Sequence, residues 1–236
     1  MAIVKMDVVK NALKKGKIVI CRGDTNAFVA EQITGQQIEK GKYTAGYIGP
    51  RGLSVNQKMA QELVLVDGKK LSELNSKEVL KGIQPGDVII KGANAIGPDG
   101  IAAVLLGRGR STSSGGTLGI FHVLAMVRGV QVIIPVGLEK SIPVSVLLGS
   151  QELSSSTIDY SIGMPCMLVP IFGQVITEVE AIKYLADVEV TPIAAGGIGG
   201  AEGSIVLLLA GKETEVKKVI RMVEKIKGEP QVEEPK

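Results

Sequence analysis

Apolar positions follow two alternating rhythms along the chain. From residue 3 to 15, Val4, Val8, Val9, Ala12 and Leu13 recur at helical spacing with lysines opposite, which predicts an opening helix closed by Gly16. Lys17 to Cys21 (KIVIC) predicts a short buried strand, followed by the turn Arg22-Gly23-Asp24-Thr25-Asn26 and a helix from Ala27 to Thr34. Residues 41 to 61 carry a weaker pattern: Tyr43 to Gly49 suits a strand or an ordered loop, and Val55 to Gln61 a short helix. Glu62 to Val66 predicts a strand, and Asp67-Gly68 is a hairpin signal. Ser76 caps a short helix, Lys77 to Lys81.

The richest stretch is Asp87 to Gly119. A buried strand, Val88 to Ile90, runs into Lys91-Gly92-Ala93-Asn94, then the turn Pro98-Asp99-Gly100, then an apolar strand, Ala102 to Leu106. A glycine- and hydroxyl-rich loop, Gly107 to Thr117, opens onto a helix from Leu118 to Arg128, and Val130 to Val136 is a further buried strand. Strand, loop, helix and strand recur from 17 to 136, the pattern of a doubly wound, mostly parallel α/β sheet. Later the order changes: a strand at 167 to 172, a helix at 178 to 186, strands at 188 to 194 and 204 to 210, and a helix at 214 to 227. This β-α-β-β-α order is that of a ferredoxin-like α+β subdomain. The expected division is an α/β domain at 1–165, that subdomain at 166–228, and a disordered tail at 229–236, rich in Pro and Glu.

Composition narrows the class. Of 236 residues 45% are hydrophobic but only 3% aromatic, so the core must be aliphatic, as parallel sheets sandwiched by helices are. Basic and acidic residues number 27 and 24, a net charge of +3, which with so few aromatics argues against nucleic acid. The longest apolar run, Ile205 to Ala210, is too short to span a membrane, no leader is visible, and a cytoplasmic location is expected. Cys21 and Cys166 sit in apolar strands and read as reduced core residues. The single His122 lies inside an apolar helical run and reads as a packing residue; no metal or cofactor site is expected.

Candidate chemistry gathers in loops that follow strands. A helix start offers free N–H groups to an anion, and glycine lets backbone approach a ligand. Arg22, Gly23, Thr25 and Asn26 in the first turn, and Ser113, Gly115, Gly116 and Thr117 in the later loop, are the anion-binding candidates. Lys91, Gly92 and Asn94 follow a buried strand, where open α/β sheets place ligands. Asp24 and Asp99 are the candidate proton carriers, with Glu139 the remaining nearby carboxylate.

At GDVIIKGANAIGPDG, GGTLG and VIIPVG the chain resembles the NagB/RpiA/CoA-transferase-like superfamily, in particular methylthioribose-phosphate isomerases and their initiation-factor relatives. The matching positions are Gly92-Ala93-Asn94-Ala95-Ile96, Asp99-Gly100 and Gly116-Thr117, and Arg22 to Asn26 resembles the first phosphate-binding loop of that fold. Those isomerases have aspartate where this chain has Asn94, and a lysine before the Gly-Thr loop that is absent here. The resemblance implies a pocket for a small phosphorylated or carboxylated metabolite and, if catalytic, sugar-phosphate isomerisation. It leaves open a non-catalytic metabolite sensor or an oligomeric assembly protein of the same fold. A homo-oligomer is expected in either case, with an anionic small molecule as the other partner.

Overall fold

A computed structural model describes residues 1–71, 75–107, 115–152 and 158–235. In chain order, a single 3-10 turn (Ile3–Lys5) precedes α1 (Asp7–Lys14), β1 (Lys17–Ile20), α2 (Asp24–Thr34), α3 (Lys40–Tyr43), β2 (Gly46–Gly49), β3 (Gly52–Val55), β4 (Leu63–Val66) and β5 (Lys69–Lys70). Next come α4 (Ser76–Lys81), β6 (Val88–Ile90), β7 (Ala95–Ile96), β8 (Ala102–Gly107), α5 (Gly116–Arg128), β9 (Gln131–Pro135), a 3-10 turn (Leu138–Lys140) and α6 (Val146–Glu152). The chain continues through β10 (Cys166–Ile171), β11 (Gln174–Ile176), α7 (Glu178–Leu185), β12 (Val188–Gly196), β13 (Ser204–Gly211) and α8 (Glu213–Ile226).

The fold is mixed α/β around a mostly parallel central sheet. Its strand order is β11-β9-β6-β1-β4-β5. The first four are mutually parallel, while β4 and β5 add an antiparallel edge. Alternation along each strand divides the core into two. Ile18, Ile20, Val88, Ile90 and Ile133 face one cluster with Val9 and Ala12 of α1 and Ala27 and Ala30 of α2. Val19, Cys21, Ile89, Val132 and Ile134 face another with Leu80, Phe121 and Ala125. Both faces are covered, so these strands are apolar throughout rather than alternating. At the start of the sheet the buried Asp87 accepts from the backbone N–H groups of Lys17 (2.8 Å) and Gln84 (2.9 Å), tying β1 to the approach of β6.

Several sequence expectations need correcting. The strand at 102 to 106 does not join the central sheet; β8 pairs antiparallel with β7 and β10 in a separate three-stranded sheet. The connection 91–101 is too short for a parallel crossover, which needs a dozen residues or more. It turns back instead, with Asn94 N–H donating to Ala103 O at 2.8 Å. The same pairing removes the strand expected to complete a ferredoxin-like sheet. β10 pairs with β8 and not with β12 or β13, which form a two-stranded ribbon of their own, backed on one face by Ile182, Ala186 and Val219 from α7 and α8. Residues 46–55 form a hairpin ribbon: β2 falls within the strand or loop expected at 43–49, and β3 pairs back on it, while no helix forms at 55–61. The Asp67-Gly68 hairpin forms as expected; both residues have positive φ, 48° and 74°, as the tight β4–β5 turn requires. Residues 229–235, whose composition argues disorder, lie against α3 and the β2–β3 ribbon. Among the described residues no helix is long and apolar enough to cross a membrane.

Candidate functional site

Because β1, β6, β9 and β11 run parallel, the segments after all four emerge at one edge of the sheet. These are residues 21–26, 91–94, 136–140 and 177–178. Asn26 forms the base of this edge. Its fully buried side chain donates to Cys21 O at 2.8 Å and Ile90 O at 3.4 Å, joining the ends of β1 and β6. Its Oδ1 lies about as close to a Cβ position on Gly92 (3.6 Å) as its Nδ2 does, and has no hydrogen-bond partner among the described residues. Gly23 packs against the other side of the same amide.

Two helices on opposite faces of the sheet begin beside the end of β1: α2, whose Asn26 holds Cys21 O, and α5, whose Leu118 shares a cluster with Cys21. In α2, Asp24 Oδ1 accepts from Thr25 N at 2.7 Å, and Lys140 Nζ reaches both Asp24 Oδ1 (3.3 Å) and Thr25 Oγ1 (3.5 Å). Burial alone raises the Asp24 carboxyl, but the Lys140 ammonium and the Thr25 N–H outweigh it and hold Asp24 below the usual range. In α5, Gly115 and Gly116 both take the left-handed conformation, φ 61° and 62°, which turns the chain into the helix and sets Thr117 near its start. Burial drives the Cys21 thiol up to about 12, and the nearby Lys91 charge and Thr117 hydroxyl offset only part of that rise. Cys21 is therefore a neutral packing group, not a nucleophile. Lys91 has no carboxylate at ion-pair distance among the described residues.

Other candidates sit elsewhere or are otherwise engaged. Arg22 forms an ion pair with the buried Glu62 at 2.9 Å, and Glu62 also accepts from the Ser76 hydroxyl. Asn94 Oδ1 accepts from Leu105 N at 3.0 Å, a strand-to-strand tie. Asp99 is exposed in its turn, accepting from Ser145 Oγ at 2.7 Å and Ile101 N at 3.1 Å, with no contact to Asp24 or Lys140. The Ser145 hydroxyl is the main reason its carboxyl sits below the usual range. Ser113 lies outside the described residues, as do Arg108 and Arg110. His122 accepts from Phe172 N at 3.0 Å and stacks on its ring, a packing role.

Glu139, the third carboxylate the sequence points to, enters the site, and with it two residues the sequence does not single out, Lys140 and Glu178. Gly137 leaves room for Glu139, whose carboxylate would collide with a Cβ there. Glu178 follows β11, a strand of three residues that the pattern did not reveal. Thr177 caps α7 by accepting from Val179 N at 3.1 Å, which fixes Glu178 in the first turn, where it accepts from Leu138 N at 2.9 Å. Burial raises the Glu178 carboxyl, with Glu139 and Glu180 adding to the rise.

That shift has a consequence for stability. A carboxyl raised on folding stabilises the protein fully below its unfolded value, 4.5, and the contribution is lost as pH rises through the folded value. Glu178→Gln keeps an acceptor for Leu138 and removes the penalty. The variant should be at least as stable as the parent at about pH 7 and show a flatter pH dependence above the carboxylate range. Thermal melts between about pH 4 and pH 7 decide this; a variant that loses stability at pH 7 contradicts it.

Compared with known proteins, the chain matches no family model, no curated protein and no solved structure.

Proposed function

We propose that the C-terminal edge of the central sheet binds a small phosphorylated or carboxylated metabolite. The observation that carries this reading is that α2 and α5, packed on opposite faces of the sheet, both begin beside the end of β1, with Thr25 and Thr117 in their first turns, Lys140 on Thr25 and Lys91 next to Cys21. Helix starts, hydroxyls and two ammonium groups are complementary to a small anion. The arrangement is in keeping with membership of the NagB/RpiA/CoA-transferase-like superfamily and with a doubly wound core. The ferredoxin-like part of that comparison finds no support in the strand pairing.

If the site is catalytic, sugar-phosphate isomerisation suits its carboxylates. Moving a proton between adjacent carbons needs one ionised base and one group able to hold a proton. Asp24, kept ionised by Lys140, fits the first role, and Glu178, raised by burial, fits the second. Asp99, spent on its turn, does not enter this scheme.

A thermal-shift screen against sugar phosphates at millimolar levels tests the binding. Stabilisation by at least one of them, reduced in Thr117→Val, is the expected result. No stabilisation by any, with both proteins behaving alike, ends the proposal. A second reading, an assembly protein, draws on the outer face of the β12–β13 ribbon, where Val206 and Leu208 are more than half exposed. Light scattering on the full chain and on Leu208→Glu tests it: an oligomer that dissociates in the variant favours assembly, and a monomeric parent removes it.

A further inference from the structure

Beside α3 lies a groove of about 510 Å³ that Lys40, Gly41, Lys42, Asn56 and Lys58 line together with residues 229–235. Its floor is fixed from within the domain. Asn56, buried, donates to Gly41 O at 3.2 Å and Thr44 O at 3.0 Å, holding α3. Lys40 Nζ is 3.1 Å from Glu31 and lies 4.5 Å from the centre of the Phe28 ring, both on α2. The ammonium is thus placed by α2 before anything enters the groove.

The segment in the groove reads Glu-Pro-Gln-Val-Glu-Glu-Pro. Glu229 meets Lys40 at 3.2 Å, and Glu234 meets Arg51 at 3.5 Å and the Tyr47 hydroxyl at 3.4 Å. Contacts at its two ends therefore engage α3 and the β2–β3 ribbon respectively. Two glycines stand where it passes closest. A Cβ on Gly41 would lie 3.0 Å from Glu233 O, and one on Gly49 would lie 3.3 Å from Glu234 Oε1. Pro230 and Pro235 restrict the backbone and lower the entropy lost on docking. Basic floor, acidic segment and glycine clearance at two points are mutually complementary in charge and shape.

We propose that the basic surface of α3 and the β2–β3 ribbon is a docking site for an acidic, proline-containing peptide, and that residues 229–235 of the same chain are its occupant, walling the groove and strapping the end of α8 to the N-terminal α/β body. Single exposed ion pairs contribute little on their own. The strap holds because several contacts act within one chain at high effective concentration. It is accordingly weakened by salt.

Zero-length carbodiimide coupling on the full chain tests this, because it joins amines only to carboxylates they touch. Lys40 carries its own control: Glu31 at 3.1 Å and Glu229 at 3.2 Å compete for the same amine. Mass spectrometry should find both Lys40–Glu31 and Lys40–Glu229 links. In a mixture of isotopically light and heavy chains, the Lys40–Glu229 link should contain one isotope only. The Glu233→Lys/Glu234→Lys variant should give about fivefold less of that link, with Lys40–Glu31 unchanged. A Lys40–Glu31 link without Lys40–Glu229 overturns the docking. Links of mixed isotope overturn the same-chain occupant in favour of a second copy. An undiminished Lys40–Glu229 link in the charge-reversed variant also overturns the proposal, because it leaves Glu229 merely adjacent to Lys40.

Discussion

Arg22→Ala is expected to cost about 3–5 kcal/mol of folding stability, because it strands the Glu62 carboxylate in the protein interior. The Glu62 side chain is only 5% exposed, and its charge is met by Arg22 at 2.9 Å and the Ser76 hydroxyl. The two residues sit just beyond paired strand ends, since Ile20 of β1 is opposite Leu63 of β4. Removing the cation leaves a desolvated charge, which costs more than the pair contributes. Arg22→Met/Glu62→Leu, which removes both charges, should recover most of the loss. Denaturant unfolding of the three proteins gives the numbers. If Arg22 were mainly a ligand contact, Arg22→Ala would keep its stability and lose only affinity, and the present assignment would be wrong.

Phe121→Ala should have an effect of similar size, about 3–5 kcal/mol, by opening a cavity where no solvent reaches. Phe121 is fully buried in the cluster formed with Ile89, Leu118 and Ala125. It is one of three phenylalanines in a chain without tryptophan, so no other large ring backs it up in that cluster. Because Phe121 anchors α5, the loss should extend to the position of Thr117 at the start of that helix. The midpoint of unfolding should fall with its denaturant slope unchanged, as for a purely packing defect. A loss below about 1 kcal/mol would mean that α5 can collapse into the space, against the close packing described here.

Much of the core was legible in the order of residues. The strands at 17–20, 88–90 and 131–135 announced themselves as unbroken apolar runs, because both faces of a parallel sheet are covered. The hairpin at Asp67-Gly68 was legible because its two positive φ angles suit those residues. The loop from Arg22 to Asn26 was picked out for the same local reason: a strand, a glycine and a helix start follow each other within a few residues. Asn26 reads in the sequence as an anion contact, yet its amide nitrogen is spent on the carbonyls of Cys21 and Ile90. Nothing local distinguishes those two uses of an asparagine.

The sequence by itself determined the apolar strands, the helix faces, and the glycine and threonine positions at helix starts, since each depends on a residue and its near neighbours. Only the tertiary structure decided which strands pair and which charges meet. β10 found β8 rather than β12, Lys140 reached Asp24, and Arg22 was claimed by Glu62. Those outcomes turn on which strand edges remain open and which carboxylates become buried. Both are set by the packing of segments far apart in the chain, and no local pattern of residues encodes them.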